Sequence, residues 1–568
     1  VAGRRNTSAI GIEYHALPQE RLPMPSVLSL AFTPRFICLT LAALLTALFA
    51  LALLLAPTAW PWLLPGLLVA GGLSALGLRD LFHPRHAILR NFPIAAHLRF
   101  ILEEIRPEMR QYFFEDEKHG TPFSRDKRAV VYQRAKKQLD KRPFGTQYDV
   151  YAAGFEWLHH SIAAKPVSPT PPRVRIGGPD CTQPYDASIF NISAMSFGSL
   201  SANAIRALNQ GAKAGGFAHD TGEGGISPYH LEAGGDLIWE IGSGYFSARH
   251  PDGRFDPERF AENARRPQVK MVELKLSQGA KPGHGGVLPA AKVSAEIAAT
   301  RGVPMGQDCV SPSGHTAFAT PVELLRFIAE MRRLSGGKPA GFKLCIGHRW
   351  EFLALCKAMV ETGITPDFIV VDGTEGGTGA APLEFMDHVG MPMREGVSFV
   401  HNALVGVGLR DRVRIGCAGK VTSAFDIARA MALGADWCNA ARGFMFAVGC
   451  IQSLSCHTDR CPTGVATQDP TRARALVVPD KATRVAQFHA ATLQALAELV
   501  AAAGLEHPSQ IRARHFWRRV SAQEVRSFAS LFPVLQPDEL LRGTEDPRFR
   551  ESWAMADPRS FAPLPLPR

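Results

Sequence analysis

Charge is missing from one long stretch of this chain: none of the forty-three residues from Phe36 to Leu78 carries one. Cysteine is thin, with ten in 568 residues, and seven of these are scattered through apolar contexts where a small buried thiol is ordinary. That usage argues against a disulfide framework and agrees with a reducing compartment. No zinc-finger or RNP-type pattern is present, so the net charge of +11 does not point to nucleic acid. No G-x-G-x-x-G fingerprint stands between a predicted strand and a helix, so no NAD(P)H site is expected.

The uncharged stretch reads FICLTLAALLTALFALALLLA, then PTAWP, then WLLPGLLVAGGLSALGL. A bilayer core takes about 20 apolar residues per helix, so two spans are expected, near 36–56 and 60–78. Arg21 and Arg35 precede the pair, and Arg79, Arg85 and Arg90 follow it. The positive-inside rule then places both ends, and the remainder of the chain, on the cytoplasmic side of the cytoplasmic membrane. A cleaved signal peptide fits poorly because a second apolar run follows at once. A buried helical hairpin in a soluble protein is the plainer alternative. Basic residues in RDLFHPRHAILR suit anionic headgroups.

Composition over the whole chain is globular, 46% hydrophobic and 20% charged. The expected organisation is a cytoplasmic tail at 1–32, a transmembrane hairpin at 33–80, a helical and linker region at 81–180, a catalytic domain at 181–510 and an extension at 511–568. In that domain short strand-like runs alternate with helical periodicity: SIFNISAM, FAHDTG, KMVELKL, PMGQDCV, GFKLCI, DFIVVDG, RVRIGCAG and DWCNAARG. Eight such units predict an α/β fold, a (β/α)8 TIM barrel, preceded by the two-helix hairpin. An open doubly wound sheet is the runner-up.

Functional groups of such a barrel gather at the C-terminal strand ends. The run SAMSFGSLS gives small residues plus Ser196 and Ser199 as hydrogen-bonding groups. Glycine-rich loops follow in HDTGEGG, ELKLSQGAKPGHGG and DGTEGGTGAAP. Late strands end in GCAGK and NAARGF, which suit a phosphate. Together they describe an elongated phosphorylated cofactor across the barrel mouth. Immediately afterwards GCIQSLSCHTDRCPTG carries Cys450, Cys456 and Cys461 within twelve residues. Three close thiolates can wrap one small iron–sulfur cluster; a structural zinc with His457 as fourth ligand is the alternative.

With SAMSFGS, QGAKPGHGG, DGTEGGTGAAP and CIQSLSCHTDRCPTGVATQ in this order, residues from about 185 to 510 resemble the flavin domain of the glutamate synthase family. The resemblance implies FMN and a 3Fe–4S cluster, the latter held by Cys450, Cys456 and Cys461. It implies FMN neighbours at Met195, Ser196, Ser199, Lys343, Asp372, Gly373, Gly376, Gly377, Gly419, Ala441 and Arg442. Lys343, at a strand end, is expected to stabilise negative charge on the flavin N1/O2 side. Lys275, Gln278 and Lys281 project from one loop, where two cations and an amide suit a 2-oxoglutarate-like dicarboxylate. Gln278 is also counted with the cofactor-binding set. Glu223 is placed in the catalytic set with Lys275 and Lys281, for proton transfer or positioning.

The expected activity is therefore glutamate synthase-type: reductive amination of 2-oxoglutarate with external ammonia or an amine. Electrons come from a ferredoxin, a flavoprotein or a quinone. Four departures from the family pattern stand out. The family's glutamine-hydrolysing domain is not in this sequence, so no ammonia from glutamine is expected. Glu-Gly-Gly-Glu is EGGI here, an acidic position is His284, and an Asp-Gly-Gly stretch is CAGK. These leave two alternatives open: a flavin enzyme of another oxo or hydroxy acid or an N-methylglutamate-type substrate, and a non-catalytic membrane electron-transfer component.

Overall fold

The computed structural model describes residues 27–566 and divides at Phe114 and Glu115 into two compact units. In the first, Leu- and Ala-rich sequence forms helix α1 (Ile37–Leu55), a 3-10 turn over Pro57–Ala59, and helix α2 (Trp60–Leu81). Pro61 is tolerated in the first turn of α2, where an amide hydrogen has no helical partner. At ~1.5 Å per residue the helices are about 30 Å long, the thickness of a hydrocarbon core. By length and composition both can cross a membrane.

Within the hairpin a Cβ on Gly66 would lie 2.7 Å from the Phe49 ring, so glycine permits the close approach of α1 and α2. The hydroxyls of Thr46 and Ser74 meet at 2.9 Å, each satisfying the other in an apolar setting. Leu44, Leu48, Leu51, Leu54 and Leu68 point outward and are exposed, and Trp62 at the turn is 84% exposed. The following helix α3 (Ala95–Met109) is tied back to α2 by Asp80, which accepts from the Ile94 amide at 3.0 Å and pairs with His97 at 2.8 Å.

The second unit is built on a closed barrel of eight parallel strands. They are β1 (Phe190–Ile192), β2 (His219–Asp220), β3 (Leu237–Ile241), β4 (Val269–Lys275), β5 (Ala340–Leu344), β6 (Phe368–Asp372), β7 (Arg414–Ala418) and β8 (Trp437–Ala440). Closure comes from Cys438, Asn439 and Ala440 pairing with Phe190, Asn191 and Ile192. The eight-strand expectation holds, with one substitution among the strands. Cys309–Val310, in the run PMGQDCV, lies outside the barrel and pairs antiparallel with Val287–Leu288. The third barrel strand is LIWEI instead. A strand covered on both faces reads as an unbroken apolar run without alternation, and Glu240 interrupts even that.

Packing around the barrel follows from capped amphipathic helices. Helix α4 (Ala202–Gly215) begins at Ser201, whose hydroxyl accepts from the Ala204 amide, and ends at Gly216 in the left-handed region. Residues beyond 510 belong to the same unit: Phe516–Arg519 pairs antiparallel with Glu156–Leu158, and Trp517 stacks on His159 at 5.2 Å. Glu156 gathers Arg394, Arg429 and Arg518, so segments distant in sequence close against one another.

Inside the barrel, a Cβ on Gly416 would run into the Trp437 indole carbons of the neighbouring strand. Gly416→Ala is expected to destabilise the second unit by about 1–3 kcal/mol through overpacking. A lowered chemical-denaturation midpoint at unchanged slope checks it.

Candidate active site

The strand ends converge through contacts that tolerate no side chain. Gly222 has φ +66°, and a Cβ there would stand 2.7 Å from the Ser196 amide nitrogen. A Cβ on Gly279 would overlap the Gly373 carbonyl. That close approach is fastened by Asp372, at the end of β6, whose Oδ2 accepts from the Gly279 amide at 2.8 Å. Burial pushes the Asp372 carboxyl above its ordinary range, with Lys343 and this amide opposing.

Beside these glycines the loop after β4 brings Lys275 onto two partners: Glu223 Oε2 at 2.8 Å and Gln278 Oε1 at 2.6 Å. Lys281 is 2% exposed and donates to the Ala380 carbonyl at 3.2 Å. Burial lowers the affinity of Lys281 for its proton, and Glu223 opposes this. For Glu223 burial acts to raise the pKa, but Lys275, Lys281 and Arg301 outweigh it and hold the carboxyl below the usual range. Of the predicted catalytic set, Glu223 and Lys275 are thus ion-paired, Gln278 is bonded to Lys275, and Lys281 acts on Glu223 through its charge. His315 supports it from behind, its Nε2 facing the Lys275 carbonyl at 2.8 Å and its Nδ1 the Tyr245 hydroxyl at 3.1 Å.

Of the predicted cofactor set, Ser196 and Ser199 meet through their hydroxyls at 3.0 Å, and Met195 and Ser196 are buried. Arg442 donates to the Thr378 carbonyl at 2.9 Å and lies against Gly377, where a Cβ would approach its guanidinium to 2.8 Å. Ala441 caps the helix that Arg442 opens, and Gly419 stands beside Glu375 and Met393. Small residues, a guanidinium and backbone amides around one mouth fit a flat phosphorylated cofactor. Lys343, the penultimate residue of β5, is buried in the barrel, paired with Glu240 and 3.4 Å from Glu273.

The cysteine segment follows the helix opened by Arg442 and winds tightly: Gly449, Gln452, Leu454, Asp459 and Gly464 all have positive φ. This winding turns backbone amides toward sulfur, and the Gln452 amide points at Cys450 Sγ at 3.5 Å. Burial pushes the Cys450 thiol up to about 11. Burial also acts to raise Cys461, but the amides of Ala466, Thr463 and Val465 and the Thr463 hydroxyl outweigh it and hold this thiol below its ordinary range. A single zinc at ~2.3 Å from tetrahedral ligands draws sulfurs to about 4 Å of one another. Among the described residues only Asp220, Glu240 and Glu273 bring three such ligand atoms within 4.8 Å. The sulfurs of Cys450, Cys456 and Cys461 are not drawn together to that degree.

Two cations here escaped the sequence reading, since nothing in AAKVSAEIAATRG marks them. Lys292, 3% exposed, donates to the Ser199 carbonyl at 2.9 Å and to the Cys456 carbonyl at 3.3 Å. It thereby joins the loop after β1 to the cysteine segment. Arg301 donates to the Ser196 hydroxyl at 3.4 Å and the Phe197 carbonyl at 3.3 Å. The acidic pair Glu240 and Glu273 was likewise invisible, because one-sided inward projection is decided only on barrel closure.

The conserved region in glutamate synthase matches residues 182–506. The chain is 39% identical over 478 residues to the glutamate synthase large subunit-like protein YerD of Bacillus subtilis, covering 77% of this chain and 91% of that protein. It is 34% identical over 322 residues to an archaeal glutamate synthase [NADPH] of Methanocaldococcus jannaschii, covering 56% of this chain and 60% of the relative. Against the glutamate synthase [NADPH] large chain of Bacillus subtilis the identity is 33%, over 58% of this chain and 22% of the longer protein.

Lys292→Ala leaves two half-buried carbonyls without this donor, a loss of about 1–2 kcal/mol. The expected result is faster amide hydrogen exchange confined to 196–201 and 449–468, read by mass spectrometry; exchange matching that of the parent protein contradicts the bridging role.

Proposed function

The chain belongs to the glutamate synthase family, and from that premise we propose that it is an FMN and iron–sulfur oxidoreductase producing glutamate from 2-oxoglutarate, external ammonia and an external electron donor. The observation that carries this reading is the Glu223–Lys275–Gln278 group, with buried Lys281 beside it, at a mouth lined by close-packed glycines. Two ammonium groups suit the two carboxylates of the oxo acid, and the Gln278 amide suits its oxo oxygen. Glu223, ionised and within reach of Lys275, is placed to accept a proton or to position the Lys275 ammonium.

FMN would be held by Met195, Ser196, Ser199, Asp372, Gly373, Gly376, Gly377, Gly419, Ala441 and Arg442, with Lys343 deeper in the barrel, and Cys450, Cys456 and Cys461 would ligate a 3Fe–4S centre. When bound, the flavin supplies hydride chemistry and the cluster one-electron transfer. The protein's own part is to bind the dicarboxylate, hold Glu223 ionised and keep the cysteine segment against the Ser196–Ser199 loop through Lys292. The reaction balances as 2-oxoglutarate, NH3, two electrons and two protons giving glutamate and water. A ferredoxin, flavoprotein or quinone fits as donor. Helices α1 and α2 would anchor the chain in the cytoplasmic membrane, a reading supported by their length, the lack of charge from Phe36 to Leu78 and the arginines flanking that stretch.

Purified protein is expected to be yellow and to release FMN on denaturation; FAD, or no flavin, rejects the cofactor assignment. After anaerobic reduction, 2-oxoglutarate with ammonia should reoxidise the flavin faster than the oxo acid alone, and Lys281→Met should raise the oxo-acid concentration required about 10–100-fold. Reoxidation by a different oxo acid identifies another substrate, and reoxidation by none a non-catalytic role. Cys456→Ser is expected to lose the paramagnetic 3Fe–4S signal while retaining flavin. One zinc per chain without inorganic sulfide would overturn the cluster.

A further inference from the structure

Beneath the mouth, inward-facing side chains of four neighbouring strands form a separate polar group. Asp220 from β2, Glu240 from β3 and Glu273 from β4 bring carboxylate oxygens within 4.8 Å of one another, at exposures of 1%, 2% and 0%. Lys343 from β5 is the cation among them, paired with Glu240 and 3.4 Å from Glu273. Three carboxylates against one ammonium leave two negative charges uncompensated where water is excluded. Around them, Asp372 at the end of β6 adds a further acid and Lys275 at the end of β4 a further cation.

Hydrogen bonding distinguishes the three acids. Glu240 receives the Lys343 ammonium, and Asp220 Oδ1 accepts from the Gly222 amide at 2.9 Å. Both oxygens of Glu273 lack a hydrogen-bond donor. An ionised carboxylate so buried and so poorly served is the form the site disfavours most.

We propose that Asp220, Glu240, Glu273 and Lys343 form a proton-holding site inside the barrel, with a proton resident on Glu273 and a second taken up at Asp220 when electrons reach the mouth. The role of the second proton rests on the function proposed above. Electrons from a one-electron donor arrive without protons, so negative charge accumulates first. Water gives up a proton, an O–H bond forms at the Asp220 carboxylate, and hydroxide returns to solvent. That proton is released as charge leaves with the product, so the cycle neither consumes nor makes a redox equivalent.

The titration directions agree with this geometry. Burial, then Glu240, push Asp220 up to about 7, against Lys343 and the Gly222 amide. Burial pushes Glu273 well above the carboxylate range, opposed by Lys343 and reinforced by Asp220 and Glu240. Raised native pKa values favour the protonated fold, so this stability is complete below the ordinary carboxylate range and is lost as pH rises through about 7.

Infrared spectroscopy of the whole purified protein at pH 7 tests the resident proton. A deuterium-sensitive carbonyl band of a protonated carboxyl is expected and should disappear in Glu273→Gln, an isostere that also flattens the loss of thermal stability between pH 6 and 8. Absence of the band in the parent protein overturns the proposal, even if the variant fails to fold. A stoichiometric metal ion that survives dialysis and is lost in Glu273→Gln overturns it in favour of a cation site. Proton uptake during anaerobic dithionite reduction, read with an indicator dye, should fall in Asp220→Asn; equal uptake overturns the redox link. Protein without flavin but with the band would reject the proposed function and the redox link while retaining the resident proton.

Discussion

Parallel pairing of Cys438, Asn439 and Ala440 with Phe190, Asn191 and Ile192 closes the sheet on itself, and the remaining site geometry depends on this closure. A closed parallel barrel leaves no unpaired edge and directs every strand's C-terminal end to the same rim. Loops separated by more than two hundred residues are thereby delivered to one place. Gly222 then touches the Ser196 amide, and Gly279 the Gly373 carbonyl, because these loops have no other volume to occupy. Asp372, standing on the last residue of its strand, converts the second contact into a hydrogen bond to Gly279.

The same closure forces charge into the interior. Asp220, Glu240, Glu273 and Lys343 sit on four successive barrel strands, so their side chains meet on the axis. A barrel interior filled with branched aliphatic side chains is the ordinary solution, and a buried ionic group generally contributes less than well-packed apolar residues of similar volume. Retaining four ionisable groups here points to a use other than stability. Above them, the Glu223–Lys275 pair stays ionised because three cations surround one carboxylate. Acids close in space are therefore pushed oppositely: burial raises Asp220 and Glu273 below the mouth, and neighbouring cations lower Glu223 at it.

Lys292 links this mouth to the cysteine segment, and Arg301 ties the loop after β1 to the same inserted element. Each reaches a loop carbonyl from a short element inserted between β4 and β5. The insertion itself is held by the Val287–Leu288 and Cys309–Val310 pairing, which resembles a barrel strand in composition and serves as a brace. The hairpin of the first unit differs: Leu44, Leu48, Leu51 and Leu54 face outward, Thr46 pairs with Ser74, and Asp80 at its end pairs with His97. That is the reverse of the pattern in the second unit.

Local sequence was sufficient for everything that a local interaction decides. The two apolar helices, the eight-unit α/β alternation, the glycine loops and the three-cysteine spacing were all legible, because helix length, strand period and turn chemistry act over a few residues. Seven of the eight barrel strands followed from it; LIWEI did not, since burial on both faces erases alternation. The grouping of Lys275, Gln278 and Glu223 was anticipated as types and confirmed as a contact only by the fold. The carboxylate ring around Lys343, the Lys292 bridge and the attachment of residues beyond 510 to the strand at 156–158 were set by tertiary structure alone. Each joins residues from separate strands or loops, and which side chains face one another is determined by register and barrel closure, quantities that no stretch of the chain carries by itself.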